Sequence, residues 1–235
     1  MSAALRIGAW AAGLLALAVA SQLALPGYVE QRIEAGLQSA FDRVDFVRAD
    51  VRAYPALALL GGRIHAISLD LRRVSVGGLT VDAVLLDGRN VVIDLPKLLT
   101  GRGVEVSSAD SLRATFVISE DDLNEYFWSQ IHTSRFFRVD LERGRAVLYG
   151  SFNILGREVG VTVSGRFQVT GGTKVSFVPE EVTVENTAVP KMFLDMIAQE
   201  WAITLDLHQA ALPLAIEDLF VEEGQLLIYG KRPIM

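Results

Sequence analysis

Side chains able to do chemistry are sparse in this 235-residue chain, and their spacing decides against most reactions. His65, His132 and His208 stand far apart, with no second ligand at helical or strand spacing, so they make a poor metal set. Cysteine is absent, which removes disulfides, thiolate nucleophiles and cysteine-ligated metals together. No serine lies in a G-x-S-x-G elbow. Gly224 to Lys231 imitates a phosphate loop, but its spacing is one residue too long, Arg232 stands where Ser or Thr is needed, and strand-forming residues fill it. Glu120, Asp121 and Asp122 form the densest acidic run. They follow Ser119 in the pattern of a capping box, and negative charge in a helix's first turn complements its dipole. That position accounts for them without acid–base catalysis. No catalytic residue, metal or cofactor is assigned.

One basic cluster interrupts an otherwise acidic chain: Arg135, Arg138, Arg143 and Arg145, where a predicted strand pair begins and turns. Two readings stand, candidate contacts for lipid phosphates or guanidinium groups solvated on exposed strand positions. The formal net charge of −6 excludes a nucleic-acid partner, whose backbone demands clustered Lys and Arg over a whole face.

The elements that must position these residues begin with two helical patterns joined at Pro26-Gly27. Ile7 to Leu25 carries no charge, and at about 1.5 Å per residue it nearly spans a hydrocarbon core of roughly 30 Å. It reads either as a retained membrane anchor or as a signal segment cleaved after Ala18-Val19-Ala20. Arg6 precedes it, so either reading places the rest of the chain outside the cytoplasm. After the predicted break, Val29, Ile33, Leu37, Ala40 and Phe41 recur every three or four residues, opposite Glu30, Gln31, Arg32, Glu34, Gln38 and Asp42. This spacing predicts an amphipathic helix, with Gly36 permitting close approach.

Downstream, period-two alternation predicts strand after strand. Val47, Ala49, Val51 and Ala53 open the series, and Pro55 ends that strand before a single helical turn over Ala56 to Leu60. Phase slips between Ile64 and Val76 predict bulges. Leu79 to Leu95 keeps odd parity across Asp87-Gly88, as one long strand would. Arg102 to Ser111 reads as a surface loop. Leu112 to Ile118 is a strand, followed by a helix bearing Leu123, Tyr126, Phe127 and Ile131. Strands then turn at Arg143-Gly144, Gly156 and Gly171-Gly172. A last helix starts at Pro190 with Phe193, Met196, Ile197 and Trp201 on its apolar face, and two closing strands flank Glu223-Gly224.

Hydrophobic residues make up 51% of the chain and mean hydropathy is +0.33, more apolar surface than a compact core demands. A ligand-lined interior explains the surplus, and so does a sheet rich in Val and Leu.

The motif Val51-Arg-Ala-Tyr-Pro55, then Leu59-Leu-Gly-Gly62 and Ile64, then Ile118-Ser-Glu-Asp-Asp-Leu-Asn124 with Tyr126, and the closing Glu223-Gly-Gln-Leu-Leu-Ile-Tyr-Gly230 together resemble the LmeA-like phospholipid-binding family, from about Tyr28 to Lys231. The family is similar to tubular lipid-binding proteins. The resemblance implies an α+β fold in which a long N-terminal amphipathic helix packs in a strongly curved antiparallel sheet, here preceded by a transmembrane or signal helix. With the N-terminal reading above, residues 1–27 are expected as a signal segment or transmembrane anchor and 28–235 as a single lipid-binding-like domain.

The expected function is non-catalytic binding, or transfer, of a phospholipid or other acyl lipid at the outer face of the membrane, in maintenance of the cell envelope. An envelope scaffold without lipid and a lipid-modifying enzyme are the alternatives. The apolar helix faces supply the expected lipid groove: Val29, Ile33, Leu37, Phe41, Tyr126, Phe127, Met192, Phe193 and Met196.

Overall fold

The computed structural model describes residues 3–76, 78–130, 138–154, 157–184, 187–188, 204–206 and 214–232. A run rich in Ala and Leu favours helix, and a single helix, α1, extends from Ala3 to Ala40 with Pro26 inside it. The break expected at Pro26-Gly27 is therefore absent. Proline removes one intrahelical hydrogen bond and crowds the preceding turn, but both flanks of this one are held by tertiary contacts. One turn before it, Gln22 bonds the backbone at Ala53 and Ala56; just after it, Val29 is buried. Among the described residues no helix is long and apolar enough to cross a membrane. The side chains of Ile7 to Ala18, most of the uncharged run, lie outside the described residues.

The described chain divides into two compact units, Met1–Ala40, Val47–Asp70 and Leu86–Leu112 forming the first, and Phe41–Phe46, Leu71–Leu85 and Arg113–Met235 the second. In the first, α1 packs against a curved antiparallel sheet made of β1 (Phe46–Arg52), residues 63–70 of β2 (Arg63–Val76) and residues 86–93 of β3 (Leu79–Ile93), adjacent in that order. A 3-10 turn (Ala56–Gly61) and a short helix α2 (Leu95–Leu99) also pack on α1. β1 alternates as its sequence dictates, with Val47, Ala49 and Val51 buried between exposed neighbours. Val29, Ile33 and Leu37 of α1 are buried, and together contribute about 6 kcal/mol. Ala40, expected on the same face, is exposed, and Phe41 lies beyond the helix end, half-buried in the second unit. Gly36 does permit close approach, since a Cβ there would meet Val104 Cγ2 at 3.1 Å.

The expected bulges are present and have definite positions. In β2 the buried set runs Ile64, then Ile67, Leu69 and Leu71, then Val74, and the last shift occurs at Arg73, whose φ is 53°. β3 is one long strand, as its parity predicted, but parity does not hold throughout. Ala83 and Val84 are both buried, Leu85 turns outward, Leu86 inward, and Asn90 at φ 47° restores the original phase. Two slips cancel, which makes the strand look regular in sequence. The segment read as a surface loop contains β4 (Val106–Ser108), paired antiparallel with β3.

In the second unit residues 71–76 of β2, residues 79–85 of β3, β5 (Ser111–Ser119), β13 (Gln225–Lys231) and β12 (Ala215–Glu222) are adjacent in that order, with helix α3 (Glu120–Gln130) following β5. A meander of β6 (Arg138–Glu142), β7 (Arg145–Ile154), β8 (Arg157–Thr170) and β9 (Lys174–Val184) forms the other sheet, extended by β10 (Thr187–Ala188) and β11 (Thr204–Asp206) on β9. Gly144, Gly171 and Gly224 take positive φ at the turns where glycine was expected. The fragments around Val175 and Val182 join into the single strand β9, whose phase shifts where its register with β8 slips between Ser164 and Gly165.

Candidate functional site

The apolar stripe of α1 continues into a groove. Leu25, Tyr28, Val29 and Arg32 of α1, Leu59 and Leu60 of the 3-10 turn, and Leu95, Leu98 and Leu99 of α2 line a volume of about 80 Å³. The turn has about three residues per revolution, so it presents two stripes. Ala56 and Leu59 face inward and are buried, whereas Leu57 and Leu60 face outward, 52% and 62% exposed. α2 is held in place by its cap: the Lys97 amide donates to Asp94 Oδ1 at 2.9 Å, and Pro96 sits in the first turn. At the end of the 3-10 turn Gly62, at φ 71°, lies so close to Ile93 that an added Cβ would sit 2.3 Å from its carbonyl oxygen. At the rim the Arg32 guanidinium lies 5.3 Å from the centre of the Tyr28 ring, and its Nε donates to the Tyr28 hydroxyl at 3.2 Å. Lys97 bonds Glu105, and this hydrogen bond raises its pKa above the ordinary lysine value.

What holds α1 beside β1 is a row of side chains on one helix face, two of them four residues apart and the third about two turns earlier. The Val51 amide donates to Glu30 Oε1 at 2.8 Å and the Ala49 amide to Glu34 Oε1 at 2.9 Å. Gln22 continues the row, donating to the Ala53 carbonyl at 3.1 Å and accepting from the Ala56 amide at 2.8 Å. Four residues of helix advance about 6 Å and two of strand about 6.8 Å, so the two repeats stay in register with helix and strand running oppositely. The carboxylates thus occupy donors of the edge strand β1 that no neighbouring strand takes. Glu30 and Glu34 were expected on the face opposite the apolar stripe, and it is this face that meets β1.

α3 does the same for β6. Asn124, 3% exposed, accepts from the Val139 amide at 2.7 Å and donates to the Val139 carbonyl at 2.8 Å; Glu120 Oε2 accepts from the Leu141 amide at 2.8 Å. The Ser119 cap of the expected capping box is present: the Asp122 amide donates to Ser119 Oγ at 3.1 Å, and that hydroxyl donates to Asp122 Oδ2 at 2.5 Å. Asp122 itself is buried and accepts from Arg73 at 2.7 Å through both oxygens. Glu120 and Asp122 of the acidic run are thereby occupied in building the fold, while Asp121 is exposed.

The expected site residues fall in several places. Val29 lines the groove; Ile33 and Leu37 lie deeper in the core of the first unit. Tyr126, half-buried, and Phe127, buried, belong to the second unit, their ring centres 6.0 Å apart. Met192, Phe193, Met196 and Arg135 lie outside the described residues, as does the helix expected from Pro190. The other arginines are exposed and each has a carboxylate partner: Arg138 with Asp140 at 2.8 Å and Glu120 at 3.3 Å, Arg143 with Glu222 at 3.7 Å, Arg145 with Glu142 at 2.5 Å. The charge of Asp140 leads in raising the Arg138 pKa. His65 accepts from the Tyr54 amide at 3.3 Å, and Gly224 to Lys231 is a hairpin turn and strand. Among the described residues no group of three or more His, Cys, Asp or Glu could hold a metal ion.

Sequence reasoning missed most of the groove. Its signal was present in Ala56-Leu-Ala-Leu-Leu60 and Leu95-Pro-Lys-Leu-Leu99, two turns too rich in leucine to be simple connections.

Residues 20–231 match the model of the family described as LmeA-like phospholipid-binding. No curated protein and no solved structure matches the chain.

Proposed function

The chain belongs to the LmeA-like phospholipid-binding family, and from that premise we propose that it holds a phospholipid or related acyl lipid without covalent chemistry, at the outer face of a membrane to which Ile7–Leu25 directs it, in service of the cell envelope. The family match across nearly the whole chain carries this reading. The groove beside α1 supports it, because six leucines, a valine and a tyrosine ring supply the lining that an acyl chain needs.

Its size limits the mode of binding. A volume of about 80 Å³ falls below the roughly 300–1,000 Å³ of pockets that enclose a small ligand. The groove takes the end of one chain, and the rest of the lipid extends beyond it. Three buried methylenes contribute about 2.4 kcal/mol before ordering costs. Ion pairing of Arg138, Arg143 and Arg145 within the chain favours acyl recognition over headgroup charge.

Native mass spectrometry of the detergent-purified full chain, followed by organic extraction, tests the proposal. Co-purifying phospholipid is the expected result. A protein that carries no lipid and takes none up from mixed micelles would be a scaffold instead.

A further inference from the structure

Leucines at and beside the groove stand largely exposed. Leu57 and Leu60 share the exposed stripe of the 3-10 turn, Leu99 is 44% exposed at the end of α2, and Tyr54 just before the turn is 78% exposed. Singly such residues are ordinary on a protein surface, but here two of them line one groove and the other two lie on or just before its 3-10 turn. Leu60 and Leu99 line it together with Leu25 and Tyr28.

Position along α1 identifies what covers them. The uncharged run of the chain ends at Leu25, and the first charged residue after it is Glu30. The groove is built on Leu25, Tyr28, Val29 and Arg32, the very turns over which α1 changes from apolar to charged. Its polar groups follow the order of a membrane interface: leucines, then the Tyr28 ring, then the Arg32 guanidinium bonded to that tyrosine's hydroxyl. Tyrosine favours the headgroup level of a bilayer, and a guanidinium matches phosphate.

We infer that Leu57, Leu60 and Leu99, with Tyr28 and Tyr54, form a surface that inserts into the headgroup–acyl boundary of a phospholipid bilayer, opening the α1 groove directly onto the membrane. The inference rests on the membrane location proposed above. It adds which face of the first unit meets the lipid and by what route an acyl chain reaches the groove. A helix leaving the bilayer at Leu25 brings Leu60 and Leu99, which line the same groove as Leu25, to the bilayer surface, so they leave water without any change of fold.

The absence of native cysteine makes the test direct. Leu57→Cys, Leu60→Cys and Leu99→Cys variants of the full chain, each labelled with an environment-sensitive fluorophore, are reconstituted into vesicles of phosphatidylcholine and phosphatidylglycerol. Quenching by nitroxide-labelled acyl chains is then measured. Arg89→Cys is the control, exposed on β3 and about 13 Å along the strand from Ile93, which abuts Gly62. The three leucine positions should show blue-shifted emission and strong quenching, and position 89 neither. Equal quenching at all four positions, or none at the leucines, overturns the docking surface. Lipid co-purification, read separately, reports on the proposed function: lipid bound without quenching at the leucines sinks only the docking surface, whereas quenching without bound lipid leaves the surface standing and removes the binding reading.

Discussion

Replacing Glu30 and Glu34 together by alanine removes the two carboxylates that accept the Val51 and Ala49 amides. A hydrogen bond to a charged acceptor contributes about 1.5–3 kcal/mol when buried; both glutamates are only half-buried, so about 1 kcal/mol each is the fitting figure. Alanine returns a few tenths of a kcal/mol per site through helix propensity. The net loss is about 1.5 kcal/mol, equivalent to a fall in Tm of about 5 °C for a chain of this length. Thermal unfolding by circular dichroism in detergent measures it. Hydrogen exchange supplies a local signature, because the amides of Ala49 and Val51 should exchange faster while those in β8 do not change. The Glu30→Gln and Glu34→Gln pair retains the acceptor oxygens and should lose about half as much. An exposed β1 edge should also promote self-association at high concentration. A Tm within about 1 °C of the parent together with unaltered exchange at both amides would refute the idea that α1 guards this edge.

Ile33→Asp places a carboxylate where the side chain is fully buried and should unfold the first unit, a loss above about 4 kcal/mol visible as a missing unfolding transition. Gly62→Ala combines φ 71° with a Cβ 2.3 Å from the Ile93 carbonyl oxygen, and should cost about 2 kcal/mol or more in chemical denaturation. Asn124→Ala strips the Val139 amide and carbonyl of their partners, for a loss of about 3 kcal/mol that Asn124→Asp recovers only in part, since aspartate cannot donate. Lipid uptake from micelles should rise with acyl-chain length and change little between low and high salt; strong salt sensitivity with no chain-length dependence would assign recognition to headgroup charge.

Period-two alternation was enough to place β1 and β5, because a strand with one buried face writes its register into its side chains. The Ser119 cap, the glycine turns and the close approach at Gly36 were equally legible, being local or set by one missing Cβ. Three things came only from the tertiary structure. α1 runs through Pro26 because contacts on both flanks outweigh one lost hydrogen bond, a balance that no local propensity contains. The inversion of Leu85 and Leu86 is invisible because the slips near Val84 and Asn90 cancel. Glu30, Glu34 and Asn124 read as ordinary polar positions until a strand edge lies beside them, since a backbone donor's need for an acceptor depends on which neighbour the strand lacks. The groove belongs to the same class: it draws residues from α1, the 3-10 turn and α2, three segments well separated in the chain, and their meeting is a product of packing, not of any one segment's pattern.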